Sequence, residues 1–237
     1  MKKISLLLLC GLTLAGCSPK LTANLFRTST PLAYDDLVLF LDKWTPAPAE
    51  AEYYGSIEVN DMGNTYVSDN ELTVFYMAEA KAREIGANVI DITEEHNPGG
   101  VSDMYKIKAG LFHLDDVERF VYEVPATEKH PDYAAVYFYR NNDYWPLVVY
   151  DVRIGDQKVY RSKKFSAAEV KIYEPGKVRI WAKLEKEAEI TLNLELGKDY
   201  FIECGVAEGT FYGNPSFEVA PDGLGYHIYN AVKAKNQ

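Results

Sequence analysis

Glu94, His96, Asp103 and His113 are the side chains of this sequence best suited to hold a metal ion, since imidazole and carboxylate together form the donor set of many transition-metal sites. Spacing decides whether they converge. Asn97-Pro98-Gly99-Gly100 is a turn signal between two apolar runs. If those runs pair as an antiparallel hairpin, His96 lies near the turn, close to Met104 or Tyr105. His113 is then eight positions farther on, roughly 27 Å away at about 3.3 Å per residue. The two imidazoles are not expected to share an ion. Glu94, His96 and Asp103 remain together at the turn, short of the closed ligand set of structural zinc, so no metal or other cofactor is assigned.

Catalytic chemistry is equally sparse. The acidic pairs Asp35-Asp36, Glu94-Glu95 and Asp115-Asp116 suggest acid–base work, but neighbours on a strand point to opposite faces and read better as solvated charge. No nucleophile elbow, Ser-x-x-Lys pattern, or glycine pattern of a dinucleotide or P-loop site occurs. Cys204 alternates with Tyr200, Ile202 and Val206 on an apolar face, which marks it as a buried structural thiol. No catalytic residue is assigned, and the chain reads as non-enzymatic. The remaining signal is aromatic. Tyr137, Tyr139, Tyr144, Trp145, Tyr150 and Trp181 gather in the second half, several opposite an aliphatic face. Exposed aromatics stack on sugars or anchor protein partners, whereas the competing reading is cross-strand packing or contact between domains. Packing is the favoured reading, and Tyr137, Tyr139, Tyr144, Trp145 and Trp181 are the candidate ligand or partner surface.

Two stretches of different character must position these groups. In residues 34–114, strands are expected at 37–41 and 53–59. Ser68 with Glu71 forms a capping box, and Phe75, Ala78, Ala82 and Ile85 recur at helical spacing. That helix should stop at Gly86, with strands again at 87–93 and 105–114. Residues 115–132 are acidic and turn-rich, with Pro125 and Pro131, and read as a linker carrying a short bridging strand at 120–124. Beyond it, strands are expected at 134–140, 147–154, 158–162, 168–173, 177–184, 189–196, 200–206 and 216–219. Ile190, Leu192, Leu194 and Leu196 alternate with Glu189, Thr191, Asn193 and Glu195, one face for the core and one for water. The expected fold is an α+β N-terminal domain followed by an all-β sandwich, immunoglobulin-like or transthyretin-like, over 133–237.

The N-terminus carries a different kind of information. Lys2 and Lys3 precede an apolar run from Ile4 to Leu14, too short for a bilayer-spanning helix of about 20 residues. The run closes in Leu14-Ala15-Gly16-Cys17, which resembles the lipobox of bacterial lipoproteins. That resemblance implies a signal peptide over 1–16, a diacylglycerol thioether and acyl chains on Cys17, and a mature chain that begins there. Two or three acyl chains would anchor it stably, at about 0.8 kcal/mol per buried CH₂. Residues 17–33 read as a lipidated tether, and the absence of Asp after Cys17 suggests outer-membrane sorting by the same resemblance. The whole chain has a net charge of −10, and loss of Lys2 and Lys3 takes it to −12. That balance argues against nucleic acid or anionic headgroups as partners.

Two further resemblances concern the folded part. Tyr54-Gly55-Ser56-Ile57 and Ala82-Arg83-Glu84-Ile85-Gly86-Ala87-Asn88-Val89-Ile90 make residues 34–114 resemble the YbjQ-type domains, a family carrying a heavy-metal-binding label. This chain has no Cys pair there, so metal binding is not inherited. Four segments make 133–233 resemble an uncharacterised β-sandwich domain of bacterial lipoproteins. They are Ala135-Val136-Tyr137-Phe138-Tyr139-Arg140, Glu174-Pro175-Gly176-Lys177, the run from Leu194 to Ile202, and Gly213-Asn214-Pro215-Ser216-Phe217. The combined expectation is a non-enzymatic cell-envelope lipoprotein that binds a protein or cell-wall component, with an envelope protein or glycan as the partner and a metal-binding or metal-responsive lipoprotein as the second reading.

Overall fold

In the computed structural model, residues 20–60, 70–96, 105–125, 130–141, 145–210 and 213–235 are described. The signal segment, Cys17, Ser68, Asp103 and Tyr144 lie outside them. The first unit is built from β1 (Lys20–Leu25), β2 (Leu39–Leu41), β3 (Glu52–Asn60), α1 (Asn70–Ile85), β4 (Val89–His96) and β5 (Lys106–His113). Its sheet runs β1-β3-β5-β4-β2, antiparallel except for β2 against β4. The stripe of Val74, Ala78, Ala82 and Ile85 lays α1 on one face, over Ile57, Val59, Ile107, Ala109 and Leu111. Gly86 ends the helix with φ of 79°, and a Cβ there would meet Ser29 Oγ at 2.0 Å, so both conformation and space require glycine.

Two expectations for this half are corrected. Residues 20–33 are not a free tether. β1 pairs along its whole length with β3, and Ser29 and Leu32 then donate backbone bonds to Ile85 and Arg83 at 2.8 and 2.9 Å. The strand escapes a periodicity reading because it lies at the sheet edge, with Leu21 and Leu25 inward and Thr22 and Asn24 outward. Nor is 120–124 a strand. α2 (Val117–Tyr122) takes its place, capped by Asp116 Oδ1, which accepts from the Arg119 amide at 3.0 Å.

The second unit contains β6 (Ala134–Tyr139), β7 (Tyr150–Ile154), β8 (Gln157–Ser162), β9 (Ala167–Ile172), β10 (Gly176–Lys183), β11 (Glu187–Leu194), β12 (Asp199–Ala207), β13 (Asn214–Ala220) and the helix α3 (Asp222–Ala234). Two four-stranded sheets, β11-β10-β7-β8 and β13-β12-β6-β9, share one core of Val136, Phe138, Val152, Tyr160, Ile180, Leu194, Ile202 and Cys204. β6 and β12 pair in parallel. The chain is thus mostly β, with a sandwich-like second half.

α3, which the strand count did not include, covers the outer face of β13-β12-β6-β9. Tyr229 and Val232 pack with Tyr139, Phe201 and Tyr137. Gly225 allows the approach, since a Cβ there would meet Phe201 Cβ at 2.3 Å. The same helix reaches the first unit. Leu224 packs with Leu39, Val117 and Val121, and Pro46 O lies 2.8 Å from His227 Nε2. Gly225→Val should lower the unfolding free energy by about 1–3 kcal/mol through overpacking, measured by chemical denaturation. A change within error would mean that α3 is not seated on Phe201.

Candidate functional site

The metal candidates separate as the hairpin geometry requires. β4 and β5 pair with His96 opposite Lys106, while His113 lies at the other end of β5, opposite Glu52. The two described carboxylates beside His96 are already engaged. Glu94 pairs with Lys108 at 2.7 Å, and Glu95 accepts a short bond from the Tyr105 hydroxyl. His113 Nδ1 lies 2.8 Å from Gly86 O, and its ring stacks on Tyr54. Among the described residues no three His, Cys, Asp or Glu side chains converge as an ion site.

The aromatic surface expected from sequence divides. Tyr137 stacks on Phe201 at 4.8 Å and meets Tyr229 edge-on at 5.0 Å, beneath α3. Tyr139 is fully buried, and burial pushes both phenols well above their usual range. Tyr150 lies between the sheets, donating to Gly205 O at 2.6 Å. Trp145 packs against the sandwich core. All four pack within the fold, Tyr137 and Tyr139 under α3, which strand periodicity does not reveal, and Tyr150 and Trp145 at the core between the sheets. Cys204 is likewise fully buried, its thiol held far above the ordinary range by desolvation and by Glu203.

Of the five candidates, Trp181 is the one that the described residues leave on an uncovered face. It projects from β10 with Lys177, Arg179 and Lys183 on the outer face of β11-β10-β7-β8, opposite the inward Ile180 and Ala182. Its Nε1 donates to Gly155 O at 2.7 Å, and the Arg153 and Arg179 guanidinium groups lie 5.8 and 5.4 Å from its centroid. An open cleft of about 520 Å³ beside the indole is lined by Val149, Asp151, Arg153, Arg161, Lys183 and Leu184 among others. Asp151 is neutralised by Lys158 at 2.7 Å, and Arg179 is held by Glu187 and Glu189. Arg161 and Lys183 have no ion pair among the described residues. Alternation along β10 puts Lys183 on the solvent face with Trp181, whereas Arg161 comes from β8, two strands away, and needs the sheet order to be placed there.

Two other polar clusters hold the fold together. At the junction of the units, Asn141 Nδ2 donates to Asp42 Oδ2 at 2.7 Å and Thr45 Oγ1 at 2.8 Å, both in the β2–β3 connection. Glu203 lies in register with Glu218 and Tyr139 nearby. Burial, then the charges of Asp42 and Glu218, push its carboxyl up to about 7. At the far end, His130 faces the Tyr133 carbonyl at 3.0 Å and Asp199 at 2.8 Å, stacked on the Tyr133 ring. Burial alone would lower its pKa, but these two acceptors raise it above the ordinary imidazole value.

No family model matches the chain, and no curated protein matches it. Among solved structures, the N-terminal domain of AlgF from P. aeruginosa aligns over 40% of this chain and 100% of that domain, at 16% identity and a TM-score of 0.26.

Glu203 and His130 give the same sign of pH dependence. Both have folded-state pKa values above the unfolded ones, so their stabilisation is complete below pH 4.5 and 6.5 respectively and is lost as pH rises through the folded values, about 7 for Glu203. Glu203→Gln should match the wild type in melting temperature near pH 4.5 and exceed it above pH 8. Equal melting at both pH values would contradict the burial of that carboxylate. Zinc at roughly tens of micromolar should give no saturable rise in melting temperature, since a real site would add RT ln(1 + [L]/Kd). A one-to-one stabilisation that disappears in His96→Ala would show that the turn holds an ion.

Proposed function

We propose that the protein is a lipid-anchored component of the bacterial cell envelope, sorted to the outer membrane, and that it works by binding a protein or cell-wall partner without catalysis. The observation that carries the anchor is Leu14-Ala15-Gly16-Cys17 behind a short basic and apolar segment. Only Ser18 and Pro19 stand between Cys17 and the first residue of β1. With at most about 3.6 Å per residue, lipid on Cys17 would hold the edge of the first sheet close to the membrane surface. No helix among the described residues is long and apolar enough to cross a membrane.

Binding is favoured over catalysis by how the reactive groups are used. Cys204 is buried, His113, His130 and His227 are bonded within the fold, and the open cleft offers an aromatic wall and cations with no nucleophile beside a base. The YbjQ-type resemblance of 34–114 and the lipoprotein-domain resemblance of 133–233 agree with this setting. We read the second half as an immunoglobulin-like or transthyretin-like sandwich that carries the binding face. Cys17→Ser should move the protein from the membrane fraction to the soluble fraction and abolish incorporation of labelled palmitate. If the variant still sediments with membrane and the wild type takes up no label, the anchor is wrong.

A further inference from the structure

We propose that the outer face of β11-β10-β7-β8 is a binding site for an acidic glycan, a sugar chain bearing carboxylates, which passes through the cleft beside Trp181. The proposal rests on the binding role argued above and gives that role a ligand chemistry. Charge supplies the first reason. In a chain of net charge −10, this cleft places Arg153, Arg161 and Lys183 around one carboxylate, Asp151, which Lys158 already neutralises. Arg161 and Lys183 lack an internal counter-ion among the described residues, so an incoming anion replaces no existing pair. A guanidinium fork beside an ammonium suits a planar carboxylate.

The aromatic wall supplies the second reason. The Gly155 carbonyl fixes the indole at Nε1, and Arg153 is itself anchored through Nη1 to Asp156 O at 2.7 Å. These groups lose little freedom on binding, which lowers the cost of association. Val149 and Leu184 add apolar contact for the C–H face of a sugar ring. The third reason is shape. The cleft is shallow and open on a sheet face, which admits a polymer lying across it and would not enclose a small metabolite.

The test is calorimetric titration of the purified full chain with galacturonic acid oligosaccharides, and with the same oligosaccharides methyl-esterified to remove the charge. The acid form should bind, more weakly as salt is raised. The ester should bind at least about tenfold more weakly. Arg161→Gln with Lys183→Gln should weaken the acid form by a similar factor without moving the melting temperature, because both side chains are exposed. Trp181→Ala should weaken both forms. Absence of binding, equal binding of acid and ester, or binding unaffected by the double variant would overturn the proposal. So would equal competition by inorganic phosphate or an acidic peptide, which would assign the cations to anions in general. Release by Cys17→Ser together with failure of all glycan binding would sink the glycan while leaving the envelope role standing.

Discussion

The chain ends in a helix whose apolar side has to be buried, and the place it takes is the outer face of β13-β12-β6-β9. Tyr229 and Val232 close over Tyr137, Tyr139 and Phe201, with Gly225 letting the backbone come down onto Phe201. Three aromatic rings stacked or set edge-on at 4.8 to 5.0 Å bury large apolar area and fix their mutual geometry. The other consequences follow from that contact. One sandwich face is sealed, and the opposite outer face, on β11-β10-β7-β8, is left to water.

α3 also makes the two halves interdependent. Through Leu224 it joins the cluster under β2 and α2, and His227 and Lys235 reach the Pro46 and Trp44 carbonyls of the β2–β3 connection. Beneath that connection Asn141 is buried between Asp42 and Thr45. Buried polar groups of this kind cost free energy when one partner is removed, so the junction is specific as well as apolar. Within the stretch expected to be a linker, α2 is a packed element, and the two halves share a boundary built from both.

Much of the fold was legible because period and burial agreed. The three-and-four spacing from Phe75 to Ile85 became α1, stopping at Gly86. The alternation from Glu189 to Leu194 became part of β11, which pairs with β10 polar against polar on the wet side, while Leu196 lies beyond the strand and is exposed. Illegibility arose where a local pattern had two readings. Asp222–Ala234 contains two glycines and a run of aromatic residues, so its helical stripe was masked. Lys20–Leu25 is polar enough at the edge to pass for tether. The candidate site suffered from the same ambiguity. An aromatic residue alternating against aliphatics is placed on an outer face by sequence, but only tertiary structure says whether that face is covered. Tyr137 and Tyr139 fell under α3, and Trp181 did not.

One outer sandwich face is closed by α3 and the other is open around Trp181. Hydroxyl-radical footprinting read by mass spectrometry tests this arrangement directly in solution. Trp181 and the exposed Leu147 should be modified rapidly, while Tyr137, Tyr139 and Tyr229 stay protected until the chain unfolds. Rapid modification of Tyr137 and Tyr139 together with protection of Trp181 would contradict the account, because the helix would then cover the wrong face.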